Sequence, residues 1–187
     1  MRSLAAGLLL LGLAAAPAAA REKPLIGEPF VLSRVDFGLY RSRASRTRAE
    51  FAQIRQAGIR TVLDTRAFRS LSSRREARLA AAAGVNYRHY SYPAFSWALE
   101  ETEDVYRQLL RRQDYPLLVH CQQDRDCASV LMGLYRVRVQ GWPPEAAYDE
   151  MLRFGLRSLF PYFHRYFWQN AYGPGRPAPH PPANWGR

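Results

Sequence analysis

Lysine is nearly absent from this chain: Lys23 is the only one among 27 basic side chains. The formal net charge of +11 is therefore carried by arginine. It reads either as a surface for anionic partners or as a bias of arginine-rich coding. No pattern of arginines interleaved with aromatic residues appears, so nucleic acid is not an expected partner. Cysteine is scarce too. Cys121 and Cys127 are the whole supply, so in an oxidising compartment they have only one another to pair with. The four histidines, His89, His120, His164 and His180, show no ligand spacing with them beyond the adjacent His120-Cys121. No metal or other cofactor is expected.

Long apolar runs are missing as well. Leu4 to Leu13 is followed by a small-residue stretch, Ala14 to Ala20, that contains Pro17. About 17 residues of this composition are marginal for crossing a bilayer. Preceded by Arg2 and closed by Ala18-x-Ala20, residues 1–20 have the order of a cleavable secretory signal. Cleavage before Arg21 removes one arginine and leaves a net charge of +10. No cysteine stands at the cut, which argues against a lipid anchor. The mature protein is expected in the periplasm or outside the cell, with no stable membrane span.

What the chain does contain is an alternation of strand and helix signals. Residues 21–30 read as a linker broken by Pro24, Gly27 and Pro29. Strand signals follow at Phe37–Ser42, Ile59–Thr65, Val85–Tyr90 and Tyr115–His120. Between them, Thr47-x-x-Glu50 and Ser73-x-x-Glu76 have the spacing of capping boxes that open helices ending at Gly58 and Gly84. Helical spacing recurs over Glu100–Arg112 and Cys127–Gly141, and from Pro143-Pro144 to Met151. This predicts a three-layer α/β domain over residues 31–172, a central, mostly parallel sheet flanked by helices. The aromatic segment Leu159–Tyr172 is expected to be a terminal helix packed on the sheet, and residues 173–187 a Pro-rich extended tail.

The chemistry concentrates in "LLVHCQQDRDCAS", Leu117 to Ser129. A buried strand that stops at a cysteine, a polar loop and a helix start together form an anion cradle. Loop amides and the helix N-terminus supply positive potential, which also lowers the pKa of a thiol placed there. Together with "FGLYRS", "AGIRTVLDTR" and "LYRVRVQGWPPEAAYDEM", this stretch is similar to the compact bacterial dual-specificity (tyrosine) phosphatase-like proteins over residues 31–155. The resemblance implies a tyrosine-phosphatase-like fold and a phosphorylated protein or small phosphate ester as partner. In that family the loop cysteine attacks phosphorus, a loop arginine grips the phosphate, and a neighbouring aspartate protonates the leaving group.

Carried over by position, Cys121 is the nucleophile, His120 orients the loop, and Gln122, Gln123 and Arg125 supply cradle positions. Asp126 matches an aspartate common before the arginine and, with Glu100, is a candidate for an acid by rearrangement. The remaining positions depart from the pattern. Asp124 stands for a glycine, Cys127 for the arginine, and Ala128 for the hydroxyl residue; Ser91–Leu99, where the acid belongs, has no carboxylate. A bidentate arginine makes two charge-assisted hydrogen bonds of about 1.5–3 kcal/mol each, so its loss lowers rate or affinity by roughly 10²–10⁴. A missing general acid removes a further ~10²–10⁴ with poor leaving groups. Asp124 is also expected to repel a phosphate dianion and to raise the Cys121 pKa. A pseudophosphatase is the first expectation. An active cysteine phosphatase, and a redox-responsive or anion-binding protein using a Cys121–Cys127 disulfide, remain alternatives. Arg41 and Arg66, at strand ends, are expected either as solvated surface residues or as a source of positive potential for the cleft.

Overall fold

In the computed structural model the described residues are 30–92 and 99–179, with side chains from 102 onward in the second segment. Residues 1–20, most of the linker and the end of the tail lie outside them. The first described element is a hairpin of β1 (Ser33–Asp36) and β2 (Leu39–Arg43), antiparallel and closed by Phe37-Gly38. Gly38 adopts φ +73°, a turn conformation that glycine enters without strain. The sequence signals pointed to one strand here, and β1 is the addition. It is four residues long and only partly buried, so its apolar pattern is weak.

The chain then alternates: α1 (Arg48–Gln56), β3 (Thr61–Asp64), α2 (Leu71–Ala82), β4 (Asn86–His89), α3 (Leu99–Leu109), β5 (Leu117–Cys121) and α4 (Asp126–Arg138). Two more helices, α5 (Pro144–Arg153) and α6 (Pro161–Asn170), complete it. The sheet order is β1-β2-β5-β3-β4, parallel throughout except for the β1–β2 pair. All five residues of β5 are buried, as expected of a central strand covered on both faces.

Alternation along the strands sorts the core into two layers. Val62 and Leu118, neighbours across β3 and β5, pack with Phe51 and Ile54 of α1 and Ala80 of α2. Leu63, Leu117 and Val119 face the other way, toward Val130, Leu131 and Leu134 of α4. The predicted three-layer α/β architecture is thus present.

The first capping box forms as expected: Thr47 Oγ1 accepts from Glu50 N–H at 3.2 Å, and Glu50 Oε2 accepts from Thr47 N–H at 3.1 Å. The second does not. Helix α2 starts a turn earlier, with Ser70 as its cap, and Ser73 occupies the reciprocating third position. Glu76 is instead buried inside the helix, where it accepts from Ser45 N–H at 2.7 Å. The aromatic helix α6 packs on α4 rather than on the sheet: Phe163, Phe167 and Trp168 join the α4 side of the core. Phe160 precedes the helix as its cap residue. The start of the Pro-rich segment is fastened down too, because Ala178 N–H donates to Trp168 O at 2.8 Å and Gly175 N–H to Asn170 Oδ1 at 2.7 Å.

Close packing of α4 against α5 and α6 depends on Gly133, where an added Cβ would lie 2.4 Å from Met151 Sδ and 3.1 Å from a Phe167 ring carbon. Met151 is itself 1% exposed, so it has little room to move. Gly133→Ala gains about 1 kcal/mol of helix propensity, yet overpacking of this kind costs about 1–3 kcal/mol. A net destabilisation of up to about 2 kcal/mol is expected in urea unfolding.

Candidate active site

Strand β5 delivers Cys121 to the carboxyl edge of the parallel strands, the edge at which α/β sheets bind ligands. The chain turns through Gln122–Arg125 and enters α4 at Asp126. The amides of Gln123, Arg125 and Ala128 hydrogen-bond to the Cys121 sulfur, and so does the Cys127 thiol. The Cys127 hydrogen bond is the largest influence on Cys121. With the amides it outweighs burial and lowers the Cys121 pKa to about 5. The Cys127 thiol, as donor to that thiolate and buried beside it, is pushed well above its ordinary value. Both cysteines are free thiols in this structure, so the pair is a hydrogen bond here and not a disulfide.

Asp124 does not line the cavity, and although its charge and the Cys121 thiolate repel one another as expected, the thiol and amide donors prevail and the Cys121 pKa stays low. The Asp124 carboxylate turns toward Arg41, whose Nε donates to Oδ1 at 2.8 Å and Oδ2 at 3.0 Å. Arg41 Nη2 also donates to Asp124 O and to Ser129 Oγ, each at 3.0 Å. The guanidinium stacks 3.7 Å from the Phe154 ring centroid. Arg41 is 2% exposed, so it is neither a solvated surface residue nor a source of open positive potential. Burial outweighs this pairing and raises the Asp124 carboxyl to about 6. Asp124 has φ +56°, the one non-glycine residue at positive φ among the described residues. The glycine-type backbone of the loop is therefore kept, with a strained aspartate in it.

Beneath the loop, His120 is fully buried. Its Nδ1–H donates to Cys121 O at 2.9 Å, and Nε2 lies 3.3 Å from Glu76 Oε1. These contacts tie the start of the loop to α2. Arg66 donates through Nε to Asp64 Oδ1 at 2.8 Å and through Nη2 to Asp64 Oδ2 at 2.7 Å, and also reaches Glu76 and Tyr87. Burial opposes ionisation of Asp64, but the nearby His120 and Arg66 charges hold its carboxyl down at about 2. Arg66, expected either as a solvated surface residue or as positive potential for the cleft, is buried at the cleft's edge with its charge taken up by Asp64 and Glu76.

A cavity of about 320 Å³ opens above Cys121. Gln122, Gln123 and Cys127 line it with the nucleophile; Arg66 and Ala67 form one side, and Phe160, Tyr162 and Phe163 an aromatic wall. Asp126 and Arg157 complete it. His120, Asp124, Arg125 and Ala128 are buried and do not line it. Of these, Arg125 and Ala128 contribute through their amides. Asp126, a candidate acid, is held by Arg157: Nη2 donates to Oδ2 at 2.6 Å, Nε to the same oxygen at 3.1 Å, and Arg157 N–H to Oδ1 at 3.2 Å. Of Ser91–Leu99, residues 93–98 lie outside the described residues, as does the side chain of Glu100.

The chain belongs to the tyrosine phosphatase family, whose model matches residues 27–167. It is 33% identical over 69 residues to the dual specificity protein phosphatase TpbA of Pseudomonas aeruginosa. That match covers 35% of this chain and 32% of the relative, so it spans about a third of TpbA. The fold is similar to that of Pseudomonas aeruginosa TpbA in complex with pTyr (TM-score 0.60, 24% identity, 72% of this chain and 81% of that one). It is also similar to the core catalytic domain of the PP-IP phosphatase SIW14 from S. cerevisiae in complex with citrate (TM-score 0.59, 19% identity, 68% and 79%).

Alkylation by iodoacetamide checks the electrostatics of the loop. The rate at Cys121 is expected to rise with pH around a midpoint near 5, because only the thiolate reacts. Cys127→Ala removes the principal hydrogen bond and is expected to move that midpoint upward, slowing the reaction below neutrality.

Proposed function

We propose that this protein is an exported, catalytically impaired member of the family, which uses the old cleft to bind a phosphorylated protein or a small phosphate ester. One observation carries the proposal: the loop position that should present a guanidinium presents the Cys127 thiol, and that thiol is spent on Cys121. The nucleophile and amide cradle support retention of anion binding. The aromatic wall of Phe160, Tyr162 and Phe163 suits an aryl phosphate, and phosphotyrosine is the ligand in the TpbA complex. Positive charge on the chain agrees with an anionic partner. Turnover is another matter, because a thiolate attacking phosphorus builds charge on oxygens that no loop arginine meets.

A second reading rests on the same sulfur contact. Oxidation of Cys121 by a hydroperoxide to the sulfenic acid would leave it beside a thiol able to displace water and close a disulfide. Titration of free thiols after hydrogen peroxide treatment, with Cys127→Ser as comparison, decides it. Loss of both thiols with recovery by a dithiol reductant supports the reading, and progression of Cys121 to irreversible acids rejects it.

Hydrolysis of an activated aryl phosphate by the reduced mature protein tests the main proposal, with Cys121→Ser as the blank. An activated leaving group forgives a missing acid. No difference from the blank is expected, whereas Cys127→Arg combined with Asp124→Gly should raise turnover by on the order of 10² or more. Wild-type turnover abolished by Cys121→Ser would contradict the proposal.

A further inference from the structure

The cleft contains two arginines, and they are not equivalent. Arg66 has its donors engaged: Nε and Nη2 are on Asp64, Glu76 and Tyr87, and Nη1 is on Ser72 Oγ at 3.4 Å and Gln122 Oε1 at 3.5 Å. Arg157 differs. Its Nε and Nη2 are on Asp126, but Nη1 has no hydrogen-bond partner among the described residues. The side chain is 41% exposed and lines the cavity that holds Cys121 and Cys127.

Arg157 is also held in place from three directions. The Asp126 carboxylate fixes the inner edge of the guanidinium, and its face lies over the Phe160 ring, 4.6 Å from the centroid. Its backbone is pinned by a buried relay in which Tyr148 O–H donates to His164 Nδ1 at 2.6 Å, and His164 Nε2–H donates to Arg157 O at 3.1 Å. A guanidinium oriented beforehand loses little freedom when it takes an oxyanion. The Cys121 thiolate is within electrostatic reach of it.

We propose that Arg157, carried on the α5–α6 connection, supplies the cationic grip that the loop itself lacks, binding a tetrahedral phosphate-like oxyanion above Cys121 while Asp126 acts as its positioning residue. The proposal rests on the anion-binding reading of the cleft and identifies the residue that does the binding. It places the cation on a different element from the nucleophile, so the anion bridges α4 and the α5–α6 connection. The Asp126 carboxylate is a repulsive neighbour for that anion, which makes the grip weaker than a loop arginine backed by amides alone.

The experiment is protection of Cys121 from iodoacetamide, a neutral reagent, by increasing inorganic phosphate, read by peptide mass spectrometry on the reduced full chain. Wild type is expected to be protected. Arg157→Gln should raise the phosphate concentration needed by roughly tenfold to a hundredfold, and Arg157→Lys should recover only part of the loss. Arg153→Gln removes the same charge from an exposed position outside the cavity, and should leave protection unchanged. Thermal unfolding of each variant controls for folding, because Arg157→Gln also leaves the Asp126 carboxylate without its partner. Equal protection in Arg157→Gln and wild type, or an equal loss in Arg153→Gln, overturns the assignment to Arg157 alone. No protection in the wild type overturns the anion-binding reading as well.

Discussion

A single buried ion pair shapes the loop on which everything else depends. Arg41 reaches from β2 under the β5–α4 turn and holds Asp124 by its carboxylate and by its carbonyl. Without it, an aspartate at φ +56° would carry both backbone strain and an uncompensated buried charge. With it, the carboxylate is held on Arg41 and off the cavity lining, although it still repels the Cys121 thiolate, and the amides of Gln123, Arg125 and Ala128 bond to the sulfur. The substitution of a glycine by aspartate is thus accommodated rather than disruptive. It converts a loop made flexible by sequence into one anchored to the neighbouring strand.

The same economy governs the replacement at Cys127. A thiol brings no positive charge to a ligand above the loop, but it is well placed to donate to the sulfur beside it. That contact stabilises the thiolate more than any other single influence. The site therefore separates two properties that the family normally joins. Thiolate formation is supported by Cys127 and the loop amides, while the His120, Asp64, Arg66 and Glu76 network ties the loop to the strands and α2 beneath it. On the proposed reading, recognition of the transferring phosphoryl group by a guanidinium at the Cys127 position is lost, and among the described cavity residues Arg157 offers a free cationic edge.

The fold was largely legible because its signals are local. The β-branched run at Ile59–Thr65, the Thr47-x-x-Glu50 box and the apolar stripe of α4 each name their own structure. The Ser73-x-x-Glu76 spacing misled because Ser70 offers an equivalent cap one turn earlier, while Glu76 has a tertiary partner in Ser45. In the site, Cys121 and the replacement of the arginine position by Cys127 were visible in one contiguous stretch. The destinations of Arg41 and Arg66 were not, since an arginine at a strand end carries no mark of the carboxylate that will bury it. Arg157 carried no signal at all. It sits in "FGLRSLF" without a motif, and it reaches the cleft only because α5 folds back along α4 and α6 returns across it.

We propose that an activated thiolate persists where phosphoryl transfer has been lost. Rapid mixing of the reduced protein with an activated aryl phosphate, monitored for a burst of the released aryl alcohol, tests it most directly. The burst reports attack by Cys121 itself, before any later step can limit turnover. The account predicts no burst at a pH where Cys121 is readily alkylated. A burst stoichiometric with protein and absent from Cys121→Ser would contradict it, and would mean that the amide cradle and Arg157 suffice for the chemistry.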